Sequence, residues 1–138
     1  MRYLLDTHAL IWLISHEESR LPESLRDSMR YYEDEFAISE ISLVEIVQLQ
    51  QIGRLEANRP DKVRRVVEAN GIAILHIAPD IMETFYDLPL PLLNGRTHAD
   101  PFDRLIIATA LRRGYVLVSH DSKFPWYKDH CRLSLMNI

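Results

Sequence analysis

Four carboxylates stand out by their positions: Asp6, Glu45, Asp103 and Asp121. Asp6 closes the apolar run Tyr3-Leu4-Leu5 and precedes Thr7-His8-Ala9-Leu10, where a buried strand would give way to a helix. An aspartate there also serves as a helix N-cap, worth about 1 kcal/mol. Glu45 has Ile41, Ser42, Gln48 and Leu49 as helical neighbours three and four positions away. On that half-apolar stripe a carboxylate loses hydration unless a cation or donor compensates; a rim residue whose head reaches water is the alternative. Asp103 follows Asp100 by three and suits a first helical turn, yet it runs directly into Leu105-Ile106-Ile107-Ala108, at the seam between core and solvent. Asp121, in Val118-Ser119-His120-Asp121-Ser122, follows a strand, where acids are common turn residues. Singly, each position admits a structural role. Together, four carboxylates at one place would repel and raise each other's pKa unless cations sat between them. Oxygen-only ligands suit Mg²⁺ or Mn²⁺ rather than Zn²⁺. A pair of such ions can activate water and stabilise a leaving oxygen in phosphodiester cleavage.

Other chemistry is thinly represented. His8 and His120 flank Asp6 and Asp121, and His98 precedes Asp100; they read as polar rim residues within reach of phosphate or metal-held water. No histidine pair has the helical spacing of a zinc protease, and there is no glycine-rich phosphate loop or Gly-x-Ser-x-Gly elbow. Cys131 is the single cysteine, which excludes an internal disulfide and a cysteine-rich metal site.

The elements that must position these residues alternate along the chain. Strands are expected at Arg2 to Leu5, Phe36 to Ser39, Ile72 to Ile77, Tyr115 to Ser119 and, at an edge, Leu133 to Ile138. Helices are expected at Thr7 to Ser15, from Pro22 through Leu25 and Met29, from Ile41 to Gly53, from Pro60 to Asn70 and from Pro79 to Leu88. Pro89 to Ala99, with two prolines, Asn94 and Gly95, reads as a loop. Asp100 to Arg113 is the clearest helix: Asp100 caps it, Pro101 takes its first position and Gly114 follows its last turn. An Asp100–Arg104 pair is expected on its surface. Alternation of this kind argues for an α/β fold with a parallel sheet and helices on both faces. Such sheets bind ligands at the carboxyl ends of their strands, which is where Asp6 and Asp121 fall.

The 138 residues fit one domain, spanning 1–138, and a 47% hydrophobic content supplies a core. No apolar run suits a membrane span or a signal peptide, so the expected location is cytoplasmic, without a membrane partner. Net charge is −4, against coating nucleic acid by bulk attraction. Setting the four acids aside leaves 16 acids against 16 bases, so the acidity could be concentrated in one pocket.

The residues resemble a known family. Leu4-Leu5-Asp6-Thr7-His8-Ala9-Leu10-Ile11-Trp12 looks like the opening strand and helix of PIN domains, in the subgroup of VapC-like toxins. Ser42-Leu43-Val44-Glu45-Ile46 resembles the segment with the family's second acid, and Leu117-Val118-Ser119-His120-Asp121 the segment with its last. Asp100-Pro101-Phe102-Asp103-Arg104-Leu105-Ile106-Ile107-Ala108 is very like the subgroup's most specific motif. The resemblance covers essentially the whole chain, in order. It implies a three-layer Rossmann-like PIN fold and a Mg²⁺- or Mn²⁺-dependent endoribonuclease with Asp6, Glu45, Asp103 and Asp121 as catalytic metal ligands. It further implies an RNA substrate, a cognate antitoxin and a homodimer. Thr7 and Ser119 would act as supporting hydroxyls; His98, Asp100, Arg104 and His120 are further candidates around the metals or the substrate. Ser119 stands in place of a commoner threonine, and Ala99 in place of a basic residue for which Arg96 could compensate. A basic side chain from the antitoxin would enter the acid pocket, with Trp12, Leu21 and Leu25 as candidate apolar contacts; the alternative is that these three are simply core.

Two other readings compete. A catalytically silent PIN fold serving as a binding or regulatory module would not need all four acids. A phosphotransfer enzyme also places acids at strand ends. However, a dehalogenase-type phosphatase wants an aspartate where His8 stands, and a receiver domain wants paired early acids and a late lysine, for which only Lys123 is near.

Overall fold

The computed structural model describes residues 1–138. Five strands form one parallel sheet: β1 (Arg2–Leu5), β2 (Glu35–Ser39), β3 (Ile72–Leu75), β6 (Val116–Ser119) and β7 (Leu135–Asn137). Two short strands, β4 (Leu92–Leu93) and β5 (Arg96–Thr97), form a separate antiparallel hairpin. The helices are α1 (Thr7–Ile14), α2 (Glu23–Arg30), α3 (Glu40–Gln51), α4 (Pro60–Ala69), α5 (Pro79–Asp87), α6 (Pro101–Arg113) and α7 (Phe124–His130). The sheet order is β3-β2-β1-β6-β7, so the chain winds outward one way from β1 and then returns to the other side. The reversal lies between β1 and β6, the place where a doubly wound sheet opens a crevice at its carboxyl edge.

Alternation along each strand builds two cores. Tyr3, Leu5, Phe36, Ile38 and Val118 face one layer, packing with residues of α1 to α4 such as Leu10, Trp12, Leu25, Ile46 and Val63. Leu4, Ala37 and Leu117 face the other, against Ile81 of α5, Ile106, Ile107 and Ala110 of α6, and Phe124 and Tyr127 of α7. Helices thus cover both faces, giving the three-layer Rossmann-like arrangement that the alternation implies. Helix α6 is capped as its sequence dictates: Asp100 accepts from the backbone N–H of Phe102, and Gly114 ends the helix at φ 70°. No helix is long and apolar enough to cross a membrane.

Four expectations need correction. The stretch read as a loop contains the hairpin β4–β5, closed at Asn94-Gly95 with both φ values positive, the turn for which Asn-Gly is the strongest short-range signal. Helix α7 lies in a stretch given no element; Pro125 in its first turn and the spacing of Phe124, Tyr127 and Cys131 were the signals for it. Arg104 does not pair with Asp100 but is buried, donating to Pro89 O, Leu88 O and Tyr127 Oη. Trp12, Leu21 and Leu25 are core residues, so they offer no surface to a partner. Apolar area reaches a lower free energy inside the sheet–helix layer than in water, and these three lie on its inner side.

Trp12 carries the consequence. Only 5% exposed, it packs in the first core, with the Arg20 guanidinium over its ring and the His120 imidazole against its edge. Trp12→Ala is expected to destabilise the protein by about 3–5 kcal/mol. Urea unfolding measures this; a loss below about 1 kcal/mol would return Trp12 to the surface.

Candidate metal centre

Asp6 is reached first because β1 ends there. Its backbone N–H still pairs with Val118 O, so the side chain emerges between the carboxyl ends of β1 and β6. Oδ1 accepts from Ala9 N at 2.8 Å, capping α1; Oδ2 accepts from Ser119 Oγ at 2.8 Å and from His120 N at 3.2 Å. The cap and the pocket position are therefore the same carboxylate. Ser119, fully buried, donates to Asp6 and accepts from Asp121 N at 3.0 Å, one hydroxyl fixing two acids. Asp121 turns the chain after β6: its Oδ1 accepts from Lys123 N at 2.8 Å and lies 3.4 Å from Lys123 Nζ.

Glu45 enters from α3. The start of α1 is tied to that helix where Thr7 Oγ1 donates to Ser42 Oγ at 3.0 Å. Glu45 Oε1 is buried with no hydrogen-bond partner, an arrangement costly for a carboxylate oxygen unless a ligand completes it. Asp103 enters from the first turn of α6, with Oδ2 3.2 Å from His98 Nε2. His98 is buried, and its Nδ1 is 3.0 Å from the Tyr127 hydroxyl. Arg104 donates to that same hydroxyl at 2.9 Å.

The acids feel one another. Burial raises the pKa of Asp103 to about 7, and the negative charges of Asp100, Asp121 and Glu45 add to the rise, with Lys123 opposing. Burial also raises Glu45, reinforced by Asp100 and Asp6 and opposed by the Thr7 hydroxyl and His8. Asp6 is raised by burial against the hydrogen bonds from Ala9, Ser119 and His120. His98 is held below its usual value, first by burial and then by Lys123. Like charges from Asp6, Glu45, Asp100 and Asp121 that raise Asp103 or Glu45 identify one shared electrostatic environment.

The remaining candidates divide. Ser119 and His98 contact the acids directly, whereas Thr7 ties α1 to α3 through Ser42. Asp100 is an exposed cap that contributes charge to the cluster rather than an inward ligand. His120 reaches Asp6 through its backbone N–H, while its ring bonds Ile138 O at 2.8 Å and packs on Trp12. Arg104 touches neither acid directly; its role runs through Tyr127. Tyr127, Ser42 and Lys123 are the site's neighbours that sequence reasoning missed.

No three of these side chains are already closed into a metal-ligand set. Four mutually repelling carboxylates need not close until a cation offsets their charge. Each keeps acceptor capacity, most plainly the bare Glu45 Oε1, and the donors are all oxygens, so the residues fit a hard divalent cation.

Comparison with known proteins agrees with this architecture. The PIN domain model matches residues 3–129. The chain belongs to the PIN-domain family. Within it, the chain is similar to the VapC-type protein Ribonuclease VapC22 of Mycobacterium tuberculosis, 31% identical over 120 residues, 87% of each chain. Its fold is similar to VapBC2 from Rickettsia felis bound to a promoter DNA fragment, at 20% identity and a TM-score of 0.69 over 99% of this chain and 98% of that one. DNA-bound VapBC from Salmonella typhimurium gives 20% identity and 0.67 over the same shares.

The raised Asp103 has a thermodynamic signature without metal. Between the unfolded value of 3.8 and the folded value of about 7, the folded chain keeps a proton that the unfolded chain has released. In chelator, stability is therefore expected to fall as pH rises through this window, with Asp6 and Glu45 acting in the same direction. Asp103→Asn removes one contributor, so its denaturation midpoint should fall less between about pH 4 and about pH 7. An equal fall in both proteins would mark Asp103 as an ordinary solvated acid.

Proposed function

We propose that the protein is a Mg²⁺- or Mn²⁺-dependent endoribonuclease, the toxin of a toxin–antitoxin pair, with Asp6, Glu45, Asp103 and Asp121 as its metal ligands. The observation that carries this reading is Glu45 Oε1, buried without a partner among carboxylates that raise one another's pKa. The similarity to Ribonuclease VapC22 supports the substrate class, and the fold shared with VapBC proteins supports an antitoxin partner.

A divalent cation held there would supply Lewis-acid polarisation of the scissile phosphate and a more acidic attacking water. The chain's residues do the positioning. Ala9 N–H, Ser119 O–H and His120 N–H fix Asp6, while Ser119 and Lys123 fix the turn bearing Asp121. Beside the acids opens a groove of about 570 Å³ lined by Asn94, Arg96, Thr97, Ser122 and Lys123, with no acidic side chain in its wall. Its cations would hold the substrate's phosphates where the acids alone would repel them. Unpaired RNA is the favoured substrate because its backbone can bend into such a pocket.

Purified protein is expected to cleave unpaired RNA with Mg²⁺ or Mn²⁺ and to lose that activity in excess chelator. Glu45→Gln and Asp103→Asn should remain folded while losing metal affinity and turnover. Undiminished cleavage in chelator would overturn the metal-dependent reading; a folded, metal-binding protein that cuts no RNA would point to a silent module.

The acid pocket also bears on inhibition. Four carboxylates attract any cation, and a guanidinium binds two carboxylate oxygens at once without losing its charge. An antitoxin arginine placed there would compete with metal. Mn²⁺ titrated into the purified complex is then expected to bind more weakly than to the free enzyme. Equal affinity, with cleavage still blocked, would favour simple occlusion of RNA.

A further inference from the structure

The route from Arg104 to Asp103 has a direction set by its hydrogens. Arg104 lies buried with no carboxylate partner; its guanidinium donates to two backbone carbonyls and to Tyr127 Oη. A guanidinium can only donate, so the Tyr127 oxygen accepts there. The hydroxyl's own proton then has one acceptor in reach, His98 Nδ1 at 3.0 Å. An imidazole that accepts at Nδ1 and is neutral carries its proton on Nε2. That Nε2–H points at Asp103 Oδ2, 3.2 Å away. Were Nδ1 protonated instead, the fully buried Tyr127 hydroxyl would receive two donors and leave its own proton unpaired.

We propose that Arg104 and Tyr127 are positioning residues that lock neutral His98 in its Nε2–H tautomer, so that His98 orients Asp103 by donating to Oδ2 and leaves Oδ1 free for a cation. The proposal rests on the reading of the acids as a cation site, and it assigns a task to each member of the chain. His98 holds one oxygen of Asp103 and limits its rotation. Tyr127 fixes which nitrogen of His98 carries the proton. Arg104 fixes the direction of the Tyr127 hydroxyl, anchored in turn by the carbonyls of Leu88 and Pro89 after α5. The four side chains come from the segment after β5, from two positions on α6 and from α7, so the relay joins elements whose packing would otherwise leave the Asp103 rotamer open. Outer partners of this kind, donating to or orienting a ligand, commonly alter metal affinity 10- to 100-fold, roughly, when lost.

The first measurement reads the wild-type protein without metal and uses a relay variant only to assign signals. In the ¹⁵N-histidine spectrum of the metal-free protein, with signals assigned by their loss in His98→Gln, Nδ1 of His98 should be unprotonated and Nε2 protonated. The opposite tautomer, or a doubly protonated ring at neutral pH, overturns the relay. The second measurement uses Tyr127→Phe, which removes one oxygen and keeps the ring. Its His98 signals should shift toward a mixture of tautomers, and Mn²⁺ affinity by calorimetry should fall about tenfold or more. A purely structural Tyr127 would lower the melting temperature and leave tautomer and Mn²⁺ affinity unchanged, which also overturns the proposal. Should Tyr127→Phe fail to fold, the wild-type spectrum still decides. If the wild-type chain binds no Mn²⁺, the cation reading fails by itself, whereas a wrong tautomer refutes the relay whatever the metal does.

Discussion

Mutual repulsion among Asp6, Glu45, Asp103 and Asp121 is the force that the surrounding structure has to contain. Asp6, Glu45 and Asp103 sit where burial already disfavours their charge, and neighbouring acids add to the cost at Glu45 and Asp103. No single element could hold four such groups together. The parallel sheet does so by delivering β1 and β6 side by side at its point of reversal, while α3 and α6, which pack on each other, carry Glu45 and Asp103. The carboxylates are steadied by donors that are themselves anchored: backbone amides, the buried Ser119 hydroxyl and the imidazole of His98.

That dependence explains where polar atoms are found inside the protein. The buried polar set includes Asp6, Thr7, Ser39, Ser42, His98, Arg104 and Ser119. Most lie at strand ends, in first helical turns or on the relay, within the region that must organise charge. Buried Arg104 does not enter the acid cluster: its guanidinium is held by two carbonyls and a phenol. A lysine could not replace it at three separate acceptors held in one fixed fork.

The sequence made the main elements legible where local rules set them. Asp6 at a strand end, the Asp100-Pro101 start of α6 and Gly114 at its close all follow from spacing and backbone preference. Asp6, Asp103 and Asp121 could be selected for strand-end or helix-start placement, and Glu45 for its half-apolar helical stripe. What escaped was information carried by partners remote in sequence. Arg104 looks like an exposed helix residue four positions from an acid, and only the packing of Tyr127 and the chain after α5 turns it inward. Trp12 could equally have been a contact surface, and only the tertiary fold brings Arg20 over its ring and His120 against its edge within the first core. Tyr127 itself lies on a short helix whose apolar spacing is brief, so its meeting with His98, 29 residues earlier, is a tertiary event that periodicity does not encode.

The sheet order also governs when the pocket can come into being. Asp6 accepts from Ser119 across a separation of 113 residues, and β1 gains its second neighbour only when β6 arrives. The β1–β2–β3 side can pair earlier, since its contacts close shorter loops. During synthesis, a ribosome-bound chain that has emerged only through α6 holds three of the acids but has neither the serine that restrains Asp6 nor Asp121. The order of translation therefore keeps the nascent polypeptide without its complete acidic centre until the last strands emerge, so assembly of that centre comes at the close of folding.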